Sequence, residues 1–562
     1  MAVTRTYGRL ELGTSAGGPT AWRLSTDEPH IAIRLKQIFA RIPKQMPSPW
    51  ILQRDDMLDA DLHWFMQRYP LEMDAKARKA IAEGRARFER DQAEAERILL
   101  PSYKPGEIPG LKPGQVVRGY QAQAIDLLRL RKRLLIGDEG GLGKTYTATA
   151  FLAGTPAALP AAIVMDAHLQ TQWSEVIEKY SHLTLHRIKG TKPYGVPKAD
   201  CYLFRITCLA GWVDIFNMGL FRTVIFDEPQ NLRTGIGTAK GQAAAVLASK
   251  AIYRAGLSAT PIYNYGNEMW NIAQFIDEEA LGDSYEFRRE WCDDFGKVKD
   301  PKALGTYLRE RHFLLRRLKS DVGQELPKVS RIVQAVDHDA AAIANVEQLA
   351  RSLALAATKG SFVERGSAAR ELDLRVRQAT GIAKAPYVAK FVRIIAEAGE
   401  KVVLWGWHRA VYQIWLKELQ DLKPAMYTGS ESASQKNAAK AAFMGDETNI
   451  LIMSLRSGAG IDGLQHVCSV GVFGELDWSP GIHQQCIWRL DRDGQTQPVQ
   501  AFFLVSDDGS DPPMQEVLGL KAYEASSIVD PHLGQQAVEN DTSRMAKLIQ
   551  RYLDGRQARG VA

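Results

Sequence analysis

The stretch LLIGDEGGLGKTYTATA, from Leu134 to Ala150, decides the fold. It begins as a short apolar strand, turns through glycines and continues into a helix, which is the order that a phosphate-binding loop requires. In such a loop, successive backbone N–H groups and a helix N-terminus converge on anionic oxygens. A strict G-x-x-x-x-G-K-[ST] pattern begins with glycine, whereas Asp138 stands at that position here.

Four residues of this loop carry the expected chemistry. Gly141 and Gly143 let the backbone approach a phosphate closely. Lys144 is expected to reach the β- and γ-phosphates, and Thr145 is expected to ligate Mg²⁺. The first glycine is the most dispensable part of the pattern, because it only eases entry into the turn. We therefore predict a nucleotide site in spite of the departure.

A pair of acids closes a second apolar strand. The stretch TVIFDEPQ places Asp227 and Glu228 at the carboxyl end of that strand. In nucleoside triphosphatases the first acid holds Mg²⁺ and the second polarises the attacking water. Adjacent carboxylates suit these roles because their side chains diverge at the strand end. Upstream, in RGYQAQA, the amide of Gln121 can pair with the donor and the acceptor of the adenine edge, so the predicted cofactors are ATP and Mg²⁺.

The remaining apolar runs predict two α/β lobes. A chain of 562 residues is too long for one hydrophobic core. The first cluster of predicted strands is RLLIGD, AAIVMD, TVIFDE and AGLSAT, and the second is KVVLWGW, NILIMSL, SVGVFGELD and QAFFLV. Continuous apolar runs separated by amphipathic stretches are typical of parallel sheets that helices cover on both faces.

The first hundred residues differ from both lobes. IAIRLKQIFARI has helical spacing and carries Arg34, Lys36 and Arg41, and a long charged helix follows. Two interpretations stay open: a solvated helix packed on a small accessory domain, or an accessory domain that binds nucleic acid. The predicted domains are an accessory domain at 1–110, a first lobe at 111–284, a helical insertion and linker at 285–385, a second lobe at 386–530, and a C-terminal helix and tail at 531–562.

Composition sets broad limits on function. Five cysteines without a C-x-x-C pair indicate neither a disulfide framework nor a zinc site. The sequence has no apolar run of the roughly 18 residues that a membrane span needs, and its start lacks the apolar stretch of a secretory signal, so we expect a cytoplasmic protein. The net charge of +6 permits a polyanionic partner without arguing for one.

Six motifs follow one another along the chain: Tyr120-Gln121, DEGGLGKT, DEPQNLR, LSATPIYN, SLRSGAGIDGLQ and QCIWRLDRDGQ. This order resembles the superfamily-two motors of the Swi/Snf type, whose phosphate loop reads D-E-x-G-x-G-K-T, so that Asp138 and Glu139 match the family form. FLLRRLKSDVGQELPK resembles a stretch peculiar to that family. RQATGIAKAPYVAKFV and GEKVVLWGWHRA are similar to its annealing-helicase (HARP-like) subgroup and the small bacterial and viral relatives of that subgroup.

The resemblance implies a fold and a set of roles. The fold would be two RecA-like parallel-sheet lobes with a helical insertion between them and a small N-terminal accessory domain. Ser258, Ala259 and Thr260 would link the ATP site to the nucleic-acid path. In the second lobe, the residues that would close on ATP and on the nucleic-acid backbone are Gly458, Gly460 and Asp462.

The resemblance also implies an arginine finger. Gln485, Arg489 and Arg492 have the spacing Q-x-x-x-R-x-x-R. One helical turn separates the two arginines, so both can point into the cleft. Arg492 is our choice for the finger and Arg489 is the second candidate. An arginine supplied across the cleft stabilises charge on the transferring phosphoryl group and is worth on the order of 10³–10⁵ in rate.

The sequence departs from the family pattern at a few positions. Pro229 stands where the family usually has a small residue, and Gln230 stands where many relatives have His. Asp491 and Asp493 lie beside the arginines, where they either pair with them or face solvent.

These residues are compatible with three functions. The leading hypothesis is a DNA-dependent ATPase that moves along duplex or junction DNA and remodels or anneals it. The alternative is an RNA-directed or polymerase-recycling motor on the same fold. A binding scaffold that uses ATP only as a switch is the third possibility, which Gln230 permits but the intact Lys144, Glu228 and Arg492 argue against.

Overall fold

The computed structural model describes residues 5–14, 20–39, 42, 45–260, 268–293, 296–323, 327–358, 362–455, 461, 463–492 and 494–516. Outside these ranges lie Gly458, Gly460, Asp462, Asp493 and the C-terminal helix and tail predicted at 531–562.

The N-terminal part is a small antiparallel sheet covered by helices. Its elements are β1 (Arg9–Thr14), β2 (Thr20–Ser25), α1 (Pro29–Ile38), β3 (Trp50–Gln53), α2 (Asp56–Arg68) and α3 (Ala75–Leu99). The described strands pair in the order β1-β2-β3. Both α2 and α3 begin at an aspartate cap: the Asp55 carboxylate accepts from the backbone N–H of Leu58, and the Asp74 carboxylate from that of Ala77.

The long charged helix α3 belongs to two hydrophobic cores. Near its start, Ala77 and Ile81 pack in the core of the N-terminal sheet. Near its end, Ala95 and Ile98 pack in the core that contains the phosphate-loop strand. The predicted helix is therefore present, and it joins the accessory domain to the first lobe through buried side chains.

The first lobe is built on a parallel sheet. Its elements are α4 (Gly119–Arg131), β4 (Arg133–Ile136), α5 (Lys144–Ala153), β5 (Ala161–Met165), α6 (Gln170–Tyr180), β6 (Leu185–Arg187), β7 (Cys201–Arg205), α7 (Val213–Asn217), β8 (Thr223–Asp227), α8 (Ala239–Lys250), β9 (Tyr253–Leu257), α9 (Glu268–Ile276), α10 (Ser284–Trp291), α11 (Pro301–Glu310) and β10 (Leu314–Leu315). Within the described residues the strand order is β10-β4-β9-β8-β5-β7-β6, and every pair is parallel.

The second lobe repeats this architecture. Its elements are β11 (Val329–Ala335), α12 (Ala340–Ala356), α13 (Phe362–Glu397), β12 (Val402–Gly406), α14 (Arg409–Glu418), β13 (Ala425–Tyr427), α15 (Ala433–Met444), β14 (Ile450–Ser454), β15 (Val470–Phe473), α16 (Pro480–Ile487) and β16 (Val499–Val505). The described strands pair in parallel in the order β11-β16-β15-β12-β14-β13. Two parallel sheets with helices confirm the predicted α/β class with two lobes.

The interval predicted as a helical insertion, 285–385, is not helical throughout. Strand β10 lies at the edge of the first sheet beside β4, and β11 lies at the edge of the second sheet beside β16. Strand β10 has only two residues, and the side chains of β11 are half-buried or exposed. The interior strands were predicted from continuous apolar runs, and neither β10 nor β11 has such a run. For this reason the sequence did not predict these two strands.

The described residues contain no helix that is both long and apolar enough to cross a membrane.

Candidate functional site

A cleft between the two sheets holds a cavity of about 600 Å³ that both lobes line. The lobes meet where the strands of the first sheet end, which is the usual ligand-binding edge of a parallel sheet. The predicted residues that line this cavity are Gly141, Gly143, Lys144, Thr145, Asp227, Glu228, Ala259, Gln485, Arg489 and Arg492. The structure thus brings together residues from four separate motifs.

The phosphate loop connects β4 to α5 and has the expected backbone geometry. Gly141 and Gly143 have φ angles of 92° and 75°, a left-handed conformation that glycine adopts without strain. Lys144 is the first residue of α5, and its Nζ donates to the carbonyl oxygens of Asp138 at 2.6 Å and Glu139 at 3.2 Å. Burial lowers the pKa of Lys144 to about 8, against the attraction of nearby carboxylates. Phosphate oxygens would compensate for that burial.

Asp227 ends strand β8 and lies at the cavity wall. Its Oδ2 accepts a hydrogen bond of 2.7 Å from the indole Nε1 of Trp173. Burial, together with the neighbouring Glu228, raises the pKa of Asp227 to about 7. A carboxylate in this situation is stabilised by a cation, because a positive charge offsets both the burial and the repulsion.

Glu228 is held by two neighbouring side chains. Its backbone has a φ of 57°, an uncommon conformation for a residue other than glycine. Its Oε2 accepts from the hydroxyl of Ser258 at 2.8 Å and from the amide of Gln230. Gln230, the departure from the family pattern, is buried and orients the carboxylate expected to polarise water.

The segment after β9 connects this acid to the second lobe. The Ser258 hydroxyl that donates to Glu228 also accepts from the backbone N–H of Thr260 at 3.1 Å. The Thr260 hydroxyl in turn accepts from the Gln485 amide of α16 at 3.2 Å. Through the backbone and the side chain of Thr260, hydrogen bonds therefore link Glu228 to α16 across the cleft.

The second lobe contributes the end of α16 and the turn that follows. Trp488 and Arg492 lie directly against the phosphate loop, where two glycines leave room for them. A Cβ atom placed on Gly140 would come 2.3 Å from the Trp488 ring, and one on Gly141 would come 3.2 Å from the Arg492 Cβ. A side chain at Gly140 would therefore clash with the second lobe, and one at Gly141 would crowd it.

The acids that open the phosphate loop hold the family-specific stretch after β10. The Asp138 carboxylate accepts from the backbone N–H of Arg317 at 3.1 Å and from its guanidinium Nε at 3.0 Å. The Glu139 carboxylate accepts from the backbone N–H of Lys319 at 2.9 Å. Asp138 is therefore occupied in fixing a neighbouring segment, which explains why an acid replaces the usual glycine.

Gln121, predicted to contact adenine, is buried and its amide is used by the protein backbone. The amide donates to the carbonyl of Leu142 at 3.2 Å and accepts from the N–H of Arg118 at 3.1 Å. Its contact with adenine stays a prediction. Tyr146 and Tyr180, which sequence reasoning missed, line the cavity and meet edge to face at 5.1 Å between ring centroids.

Two further residues at the site were not predicted from the sequence, because each contacts a residue that is distant from it in the chain. Trp173 supports Asp227, and Trp488 packs on the phosphate loop, yet neither lies in a motif position that marks it as functional. Asp491 was predicted either to pair with the neighbouring arginines or to face solvent; it does not face solvent, and the partner that the structure gives it is a lysine. It is buried and accepts from Lys319 Nζ at 2.9 Å.

The two residues predicted to bind Mg²⁺, Thr145 and Asp227, lie in the same cavity. The described residues contain no group of three or more His, Cys, Asp or Glu side chains that could hold a metal alone. The Thr145 hydroxyl and the Asp227 carboxylate are hard oxygen donors in the same cavity. Mg²⁺ is commonly bound in this way, through one or two protein oxygens and the substrate phosphates.

The sequence is similar to those of known proteins. The profile of SNF2-related domains matches residues 62–368. A Caenorhabditis elegans protein named SWI/SNF-related matrix-associated actin-dependent regulator of chromatin subfamily A-like protein 1 homolog is 25% identical over 497 residues, which cover 83% of this chain and 69% of the relative. Mouse "DNA annealing helicase and endonuclease ZRANB3" is 26% identical over 456 residues, covering 74% of this chain and 41% of its own length.

Among solved structures, the Sulfolobus solfataricus SWI2/SNF2 ATPase core in complex with double-stranded DNA matches with a TM-score of 0.38 and 18% identity. The match covers 76% of this chain and 95% of the other. The chain spans about two fifths of the length of several longer curated relatives.

Proposed function

The chain belongs to the family of SNF2-related domains, and from that membership we propose that it is an ATP-driven motor that acts on duplex or junction DNA. The membership confirms the resemblance to Swi/Snf-type motors. The motor would couple ATP hydrolysis to remodelling or annealing of DNA. Two relatives are named for related roles, one as a regulator of chromatin and one as an annealing helicase.

One observation carries the proposal. The phosphate loop and the paired acids of the first lobe share a cavity with Arg489 and Arg492 of the second. Phosphoryl transfer needs little besides positioning and charge stabilisation, and this cavity has groups for both. Because the groups come from two lobes, hydrolysis depends on how the lobes meet.

Each residue has a proposed role at this site. Lys144 binds the β- and γ-phosphates, Glu228 accepts the proton of the attacking water, and Arg492, or else Arg489, stabilises the transferring phosphoryl group. Thr145 and Asp227 would hold Mg²⁺, which supplies charge neutralisation on the phosphates when bound. The further residues proposed to contact nucleotide are Gln121, Gly141, Gly143, Gly460 and Asp462.

We also propose domain limits that follow the sheets. The first lobe extends to Leu315, because β10 pairs with β4, and the second begins at Val329, because β11 pairs with β16. The accessory domain remains at the N-terminus, with α3 shared between its core and that of the first lobe.

The motor would track the phosphate backbone and read little sequence. Binding should therefore weaken steeply with salt. A motor that holds both strands of a duplex pushes a junction ahead of it towards the paired state. Junction DNA should consequently stimulate hydrolysis more than a plain duplex does.

The first experiment measures ATP hydrolysis without nucleic acid and then with single-stranded DNA, duplex, forked DNA and RNA. Forked or single-strand/duplex junction DNA is expected to stimulate most. RNA as the best activator would favour the alternative, an RNA-directed or polymerase-recycling motor. ATP binding without turnover on any of these would favour a scaffold that uses ATP as a switch.

A second experiment asks what the motor does to DNA. We expect displacement of a third strand from a triplex, and no ATP-dependent unwinding of a simple tailed duplex. Robust unwinding of the tailed duplex would contradict a translocating or annealing motor. The Lys144→Ala variant is the control for movement that does not need ATP.

A third experiment tests whether the accessory domain recognises the junction. Deleting residues 1–100 would also remove Ala95 and Ile98 from the first-lobe core, so point variants are cleaner. Arg34→Ala with Lys36→Ala should lower the preference for junction over duplex more than it lowers basal hydrolysis. The matched control, Lys76→Ala with Arg90→Ala, removes the same charge from exposed positions on α3. Equal loss in both pairs would contradict a specific role for α1.

A further inference from the structure

A buried ion pair joins the two lobes beside the predicted arginine finger. The Lys319 Nζ donates to the Asp491 carboxylate at 2.9 Å and also to the Asp491 carbonyl oxygen. Each residue is only 6% exposed. The two are 172 positions apart in the chain. The contact therefore exists only when the first and second lobes are brought together.

Lys319 is anchored on the first-lobe side of the cleft. Its backbone N–H donates to Glu139 of the phosphate loop at 2.9 Å. Its Cε lies 3.5 Å from the position that a Cβ on Gly141 would occupy. The lysine thus extends from the edge of the phosphate loop towards the second lobe, and its position follows that of the loop.

Asp491 is part of the turn that carries the finger. Its backbone N–H donates to the carbonyl of Ile487 at 2.9 Å, so it continues the last turn of α16. Arg492 follows it directly and has its Cβ within 3.2 Å of the position of a Cβ on Gly141. An ammonium group that binds both the carboxylate and the carbonyl of Asp491 fixes this turn in position and in orientation.

We propose that Lys319 and Asp491 are positioning residues that hold Arg492 against the phosphate loop. A buried charge without its partner is costly. The pair therefore favours the lobe arrangement in which Lys319 and Asp491 are in contact over arrangements in which the two charges are buried but apart. When the lobes separate, each charge returns to water. The inference rests on the proposed ATP hydrolysis and goes beyond it, because neither residue needs to touch the nucleotide.

The experiment is a double-mutant cycle on the full chain with saturating DNA. Lys319→Met and Asp491→Asn remove one charge each, and the double variant removes both. We expect each single variant to lower kcat by at least about tenfold and to leave nucleotide affinity within twofold of wild type, since a misplacement near 1 Å costs up to about 10²-fold. The double variant should be no slower than the slower single variant, because both changes break the same ion pair.

Two further variants separate positioning from simple stabilisation. Lys319→Arg keeps a cation and should retain more turnover than Lys319→Met. Lys384→Met breaks a matched buried pair inside the second lobe, where Lys384 donates to Asp511 at 2.6 Å. It should lower the melting temperature without changing kcat of the folded protein.

The outcomes are distinguishable. A double variant that loses the product of the two single losses would overturn the inference, as would a loss of nucleotide affinity as large as the loss of kcat. If circular dichroism shows that Lys319→Met is not folded, Asp491→Asn alone tests the inference. A wild-type kcat in Asp491→Asn would then overturn it. Absence of ATP hydrolysis in the wild-type chain would instead refute the proposed function.

Discussion

The two sides of the nucleotide cleft are built in different ways. On the first-lobe side, the phosphate loop, the paired acids and Ser258 follow three neighbouring parallel strands, β4, β8 and β9. Sheet hydrogen bonds fix them before any ligand arrives. On the second-lobe side, Arg489 and Arg492 come from one turn after α16, and contacts across the cleft hold that turn in place.

This difference separates binding from turnover. The first-lobe side is complete within one lobe and should determine nucleotide affinity. The second-lobe side reaches the nucleotide only when the lobes meet, so it should determine the rate. Variants on the two sides should therefore change different quantities, and four of them test the comparison.

Lys144→Ala should have the largest effect and abolish ATP hydrolysis. The change removes the side-chain cation expected at the phosphates from a loop whose backbone is otherwise intact. Turnover and binding of a fluorescent ATP analogue are measured together, with Lys250→Ala, an exposed lysine at the end of α8, as the control. Wild-type turnover in Lys144→Ala would remove the basis for the nucleotide site.

Arg492→Ala should bind ATP almost as well as wild type but lose DNA-stimulated turnover by about 10³-fold, the lower end of the range for an arginine finger. The matched variant is Arg489→Ala, one turn away in the same cavity. A much greater loss of turnover in Arg489→Ala would show that the finger is Arg489. Weak ATP binding in both would break the comparison, because the second lobe would then contribute affinity.

Glu228→Gln should bind ATP and DNA yet hydrolyse ATP about 100-fold more slowly, the usual scale for a lost general base. The amide keeps the size of the side chain and its neighbours Gln230 and Ser258. Asp227→Asn is the companion variant and should raise the Mg²⁺ concentration needed for half-maximal hydrolysis, because it removes a proposed ligand of the ion. If Glu228→Gln lost nucleotide affinity instead, the roles of the two acids would have to be exchanged.

Gly140→Ala should have the smallest effect and the most selective one. The added methyl group meets the Trp488 ring, so the lobes cannot approach fully, and turnover should fall by less than about 10²-fold. Nucleotide affinity should stay near wild type. Trp488→Ala in the same chain should restore part of the rate, and a double variant slower than Gly140→Ala would show that the clash is not the cause.

The sequence predicted the first-lobe side better than the second, for a physical reason. Strands such as AAIVMD and TVIFDE are continuous apolar runs because helices cover both faces of the sheet. The phosphate loop and the acids directly follow such strands, so their positions could be predicted from local sequence alone. In the two lobes, the strands that were not predicted are short or lie at or near the sheet edges, where this pattern is weak: β6, β7, β10, β11 and β13. The N-terminal sheet of β1, β2 and β3 was not predicted either, because only helical spacing was recognised in the first hundred residues.

Contacts across the cleft could not be predicted in the same way. Gln485 and Thr260 are 225 positions apart in the chain, yet their side chains form a hydrogen bond. The sequence around neither residue indicates that the other is its partner. From the sequence, Asp491 could either pair with the neighbouring arginines or face solvent, and its actual partner, Lys319, lies 172 positions away in the chain. Such contacts depend on the arrangement of two sheets, which local apolar patterns do not encode.

The helix α3 has a mechanical consequence. It has 25 residues and is therefore about 37 Å long at 1.5 Å per residue. Because its last turns are embedded in the first lobe and its first turns in the accessory domain, it would act as a stiff lever if the first lobe rotated. A rotation of the first lobe by about 10° would carry the far end of such a lever through about 6 Å. A small rotation of the lobe that holds the phosphate loop would thus produce a larger displacement of the N-terminal domain.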